Sequence, residues 1–485
     1  MTIITQIIII KKFILMSKES LIIFLISVII GNIYSQYITL KFRTNIDLNS
    51  INEENYMKSA VEQQIYVDFK VGESNQVIPM TLKTMKYPTF IVSSRSLEED
   101  ILIKYNETKS PNSFKYLNNE EIKNLFIYDF TQGYYASDSL TFNSSSKYNN
   151  FSYILATKMN GVVKNISGEI GFSKKIENKN NYIYPQNTNF LQQLLDNKLI
   201  RRKNFGIKYD SQYEGRLIIG TTLNEIDSSY KNENPIKIEI DNNVPNNNKE
   251  NWLLKFTIQF KKSESEEYTE TSYGFLQYEL GLIFGSNSYR NNFINNYFQT
   301  KGCSENKIES SPYSFYQYTC TEENQFSDFP ELKLSYNENY TFTFNKNDLF
   351  KKVGNKYFFL IVFQATQMDV NYWRLGQLFF RKYPMFLFED EEGKPGQILY
   401  YTTNKEKKDD DDGKKTDDDG GDPSNTDNEG DEGSNVGLVV SLSILIPLIV
   451  IAAVVLGILY YRRRNKRAEV LLKDYPEEGN PILNN

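Results

Sequence analysis

Val436 to Leu459 carries no charged residue and is closed at once by Arg462-Arg463-Arg464-Asn465-Lys466-Arg467. At 1.5 Å per residue such a run reaches across a hydrocarbon core of ~30 Å. Pro447 is compatible with that, because a membrane helix tolerates an interior proline. The basic cluster predicts a cytoplasmic tail over 462–485 and a single span over 436–461. At the other end, Lys18 precedes the apolar run Leu21 to Ile30, and Gly31-Asn32-Ile33-Tyr34-Ser35 follows it. That order predicts a secretory signal over 1–35, although an N-terminal anchor would use the same apolar run. Any folded body is therefore expected within 36–403, on the lumenal or extracellular side of a type I membrane protein.

The two cysteines, Cys303 and Cys320, both fall on that side, where an isolated pair is expected to be oxidised. Sequons at Asn106, Asn143, Asn150, Asn165 and Asn339 fit secretory traffic and predict a glycoprotein. Between body and span, 404–435 is dominated by Asp, Gly, Lys and Glu, including Asp409 to Asp412 and Asp417 to Asp419. Such a stretch buries too little apolar surface to fold and is expected to be a solvated acidic stalk. Its carboxylates lack the ligand spacing of a calcium loop.

Within the body, alternation of apolar and polar residues recurs in Gln64 to Val71, Leu253 to Phe260, Leu332 to Phe344 and Phe358 to Phe363. Asn-rich and Gly-containing turns separate these runs, which predicts a mostly antiparallel β protein. Asn189 to Ile200 breaks the pattern with apolar residues at helical spacing behind a capping Asn. An Asn-rich break from Asp241 to Asn251 divides the region near its middle.

Several segments, taken in order, carry a resemblance. Ser167-Gly168-Glu169-Ile170-Gly171-Phe172 is followed by Phe190-Leu191-x-x-Leu194-Leu195-x-x-x-Leu199-Ile200, Phe205-Gly206-Ile207 and Gly215-Arg216-Leu217-Ile218-Ile219-Gly220-Thr221. Later come the Cys303–Cys320 loop with Phe329-Pro330-Glu331-Leu332, and Trp373-Arg374-Leu375-Gly376-Gln377-Leu378-Phe379-Phe380-Arg381-Lys382-Tyr383. The set resembles the pepsin-like aspartic proteases. The resemblance implies a mostly β, bilobal fold, with one barrel-like lobe over 36–235 and a second over 236–403 around a cleft. It also implies a disulfide between Cys303 and Cys320.

Aspartic proteases bring one Asp-Thr/Ser-Gly loop from each lobe to the cleft floor, where two carboxylates share a proton. In this chain no Asp occurs between Asp68 and Asp100. The first aspartate position falls on Thr84 when Phe90-Ile91-Val92 anchors the alignment, and on Lys83 when Leu82 does. In the second loop, Leu276-Gln277-Tyr278-Glu279-Leu280-Gly281, Gln277 takes the aspartate position and Glu279 that of the glycine. Tyr128 matches the family's flap tyrosine, in a hairpin shorter than usual. Neither aspartate position holds an acid, so the expected function is that of an inactive homologue, a membrane-anchored surface glycoprotein with a polypeptide segment held in the cleft. The rival expectation is an active aspartic endopeptidase with displaced carboxylates, Glu279 with Asp129 or Asp68. The chain has no histidine, which removes His-dependent triads and His-ligated metal sites. No metal, cofactor or nucleic-acid partner is expected, since the sequence shows no Gly-rich phosphate loop and, outside the juxtamembrane cluster Arg462 to Arg467, no basic, aromatic-interleaved patch.

Overall fold

A computed structural model describes residues 37–84, 88–99, 101, 103–123, 130–142, 147–159, 166–173, 189–230, 234–240, 252–261, 267–310, 313–337, 340–365, 372–388 and 396–401. The predicted signal, stalk, span and tail, the Asn-rich break at 241–251, and Asn143, Asn165 and Asn339 lie outside these residues. Among the described residues no helix is long and apolar enough to cross a membrane.

The described residues are mostly β, in one sheet of thirteen strands and one of eleven. The alternating runs are strands. Ile65–Val71 buries its Ile, Val and Phe side chains and exposes Asp68 and Lys70. Leu253–Lys261 pairs antiparallel with Glu267–Leu276 over nine residue pairs. Leu332–Asn337 pairs with Tyr340–Phe344. The first sheet also takes in strands from far along the chain: Ile236–Glu239 pairs with Gln397–Tyr400, and Met385–Phe388 pairs with Asn204–Tyr209. The chain thus builds the first sheet, crosses into the second, and returns to finish the first.

The helix expected over 189–200 is present but ends early, at Phe190–Asp196. Asn189 caps it, its side chain accepting from Gln192 N at 2.8 Å. The end is set by Lys198, whose φ of 57° is left-handed. Lys198 N then reaches Leu195 O at 2.9 Å and Leu199 N reaches Leu194 O at 2.9 Å. These are the paired bonds of a Schellman turn, which close off the last carbonyls of the helix. Leu199 and Ile200 keep their apolar contacts, but from the turn beyond it.

Cys303 and Cys320 are joined in a disulfide. The bond ties the start of Ser304–Ser310 to the end of its antiparallel partner Tyr313–Cys320. One large hydrophobic cluster draws buried side chains from both sheets, from Ile38 to Tyr400.

Candidate functional site

The two sheets repeat one local pattern, and the repeat fixes which residues are equivalent. In the first, Gln76–Lys83 runs parallel to Gly168–Gly171, with Thr81 opposite Glu169 and Leu82 opposite Ile170. In the second, Glu267–Leu276 runs parallel to Tyr372–Leu375, with Phe275 opposite Arg374 and Leu276 opposite Leu375. Phe90 then faces Glu169, as Phe284 faces Arg374. Phe90 stands seven residues after Lys83, and Phe284 seven residues after Gln277. Both ends of the loop therefore make Lys83, rather than Thr84, the counterpart of Gln277. Thr84 corresponds to Tyr278.

The two loops meet. The Thr84 hydroxyl lies 2.6 Å from Leu276 O and 3.0 Å from Glu279 Oε2. A hydroxyl has one proton to donate, and the shorter contact takes it. The Thr84 backbone N–H donates to the same carboxylate oxygen at 3.2 Å. Thr84 is fully buried, and Glu279 is half-buried. Tyr278 instead turns into the core, where its ring packs against Phe380 at 4.4 Å and Phe205 at 6.0 Å. Its phenol is pushed well up by burial.

Lys83 and Gln277 do not carry acids, and their surroundings differ. Lys83 Nζ lies 3.4 Å from Glu169 Oε1, with side chains 11% and 1% exposed. An ammonium this enclosed needs such a counter-charge, because removing either ion from water costs several kcal/mol. Glu169 is the residue that the sequence does not flag as part of the site. Its signal is a carboxylate inside Gly168–Gly171, a strand buried at every position. Gln277 is 6% exposed, and its Oε1 is buried with no hydrogen-bond partner.

Of the carboxylates in the rival reading, only Asp68 and Glu279 fall among the described residues. Asp68 is held by Arg43 at 3.1 Å on a half-exposed strand face. Asp129 and the flap residue Tyr128 lie outside the described residues, as do Met85 to Tyr87 of the first loop. Of the sequons, Asn150 is exposed, and Asn106 caps a short helical turn by accepting from Thr108 N at 3.1 Å. Among the described residues no cluster of His, Cys, Asp or Glu is arranged to hold a metal ion.

Chemically, this arrangement offers one carboxylate that accepts from the Thr84 N–H, one ammonium paired with a carboxylate, and one amide. Proton sharing between two acids needs two acids at about 3 Å, and the described residues of the two loops supply only Glu279. No protein-family model matches the chain. A search of curated proteins likewise finds no match.

Proposed function

We propose that this chain is a pepsin-like aspartic protease homologue without proteolytic activity, anchored by one membrane span and displayed as a surface glycoprotein that holds a polypeptide segment between its two lobes. The observation that carries this reading is the equivalence of Lys83 and Gln277 at the ends of two matching strands, joined across by Thr84. A site of that symmetry is what the resemblance requires, and the residues standing in it cannot perform acid–base hydrolysis. Glu279 is the only carboxylate that the bond from Thr84 places there, and it has no second acid among its partners. An extended peptide suits a β-rich groove because main-chain pairing gives affinity without catalysis.

The test is incubation of the purified full-length protein with a mixed peptide library at acid and neutral pH, reading both cleaved and retained peptides. Retention of a defined peptide set with no cleavage is the expected result. Cleavage at acid pH that a statine-type inhibitor abolishes would overturn it.

A further inference from the structure

An open pocket of about 310 Å³ lies beside the helix Gln377–Lys382, lined by Phe344, Asp348, Leu378, Arg381 and Lys382. Its charges are unequal. Lys382 Nζ is paired with Asp348 Oδ2 at 2.6 Å, so those two cancel. Arg381 has no carboxylate partner among the described residues. Its Nη2 donates to two neutral oxygens, Gln63 Oε1 at 2.5 Å and Gln377 Oε1 at 3.5 Å. Its Nε–H is buried and meets no acceptor at all. The guanidinium also lies over the Tyr209 ring at 5.4 Å, which positions the cation but does not neutralise it.

A half-buried arginine that bonds only to neutral groups retains its full charge in a medium that screens it poorly. Its planar donors match the two oxygens of a carboxylate better than a spherical ion. The remaining walls, Phe344 and Leu378, are apolar, and Lys382 covers the Phe344 ring at 5.5 Å. We infer that this cavity binds a small organic carboxylate, its charged end on Arg381 and its apolar body against Phe344 and Leu378. The size suits such a ligand, since small-molecule sites begin at roughly 300 Å³. Its occupancy does not depend on whether the chain cleaves peptides.

Calorimetric titration of the full-length protein tests this with three probes: benzoate, its neutral isostere benzamide, and inorganic phosphate. Benzoate should bind saturably with a dissociation constant of about 1 mM or tighter, consistent with the efficiency of a small ligand. Benzamide and phosphate should bind at least about tenfold more weakly, one lacking the charge and the other the apolar body. Arg381→Gln should remove benzoate binding. Asp348→Asn should strengthen it several-fold, because it frees Lys382 while keeping an oxygen for the Asn345 N–H that Asp348 now accepts at 2.8 Å. Equal binding of benzamide, preference for phosphate, or unchanged benzoate affinity in Arg381→Gln would each overturn the assignment. Should Arg381→Gln fail to fold, Asp348→Asn decides alone: tighter binding supports the site, and unchanged or weaker binding refutes it.

Discussion

The Lys83–Glu169 pair is an enclosed ionic contact beside the two loops. Glu169 sits in a strand with no exposed position, and Lys83 has almost no access to water. Glu169→Gln breaks this enclosed ion pair from one side and should cost about 3–5 kcal/mol. The double change Lys83→Met with Glu169→Leu should be close to neutral, since it removes both desolvation penalties together. Urea unfolding of the three proteins checks this, and equal losses in the single and double variants would refute it. A second residue, Asp227, contributes to the acid limb of stability. Burial pushes the Asp227 carboxyl up, but hydrogen bonds from Lys208 and Ser229 outweigh it and hold it at about 2. A carboxyl depressed in the folded state stabilises above its unfolded pKa of 3.8 and loses that contribution as pH falls from there through about 2. The pair is partly solvated, so its worth is about 1 kcal/mol. Asp227→Asn should therefore narrow the stability difference between pH 6 and pH 2 by that amount, read from urea midpoints at the two pH values.

At the scale of elements, the helix Gln377–Lys382 is locked onto the second loop by backbone contact. Gln377 N donates to Leu280 O at 2.7 Å and Leu378 N to Gly281 O at 3.2 Å. The Gln377 side chain adds bonds to Gln63 O at 3.0 Å and Tyr278 O at 3.2 Å. Gly376 makes this approach feasible. A Cβ there would lie 2.1 Å from Leu282 O and 2.5 Å from Leu280 O, both backbone atoms that cannot step aside. Gly376→Ala should cost about 2–3 kcal/mol by forcing helix and loop apart. The same variant should loosen the Thr84–Leu276 contact, visible as faster amide exchange at Thr84 and Glu279. Native-like exchange at both amides would show that helix and loop are not coupled.

For the described body as a whole, the two sheets share one hydrophobic cluster and several bonds that cross between them. Trp252 Nε1 reaches Phe172 O at 2.8 Å, and Thr84 reaches Leu276. Unfolding should then be a single transition, with the calorimetric and van't Hoff enthalpies in agreement. The Cys303–Cys320 bond closes a loop with a sequence separation of 17. Removing it by Cys303→Ser with Cys320→Ser should lower stability by about 3 kcal/mol through the freed unfolded chain. The loss should fall on the one transition. A separate early transition for the second sheet would contradict the shared core.

What the sequence determined by itself is what depends on local pattern. Period-two alternation predicts strands such as Ile65–Val71 and Leu253–Lys261, because alternate side chains must face opposite sides of a sheet. The Asn189 cap is readable for the same reason, since a capping side chain bonds within its own turn. The early stop of that helix was not readable, because Lys198 gives no glycine-like cue for a left-handed residue. That neither loop carries an aspartate was also plain, as it needs only the residue types. Three things came only from tertiary structure. Sequence anchors left Lys83 and Thr84 in competition, and the matched strand registers chose Lys83. Glu169 became part of the site only when a parallel strand brought it to Lys83 across a long separation in sequence. Arg381 came to line a pocket only through the packing of Gln63, Tyr209 and Gln377 around it. Each of these is a contact between distant segments, whose energy depends on burial and geometry that no local pattern encodes.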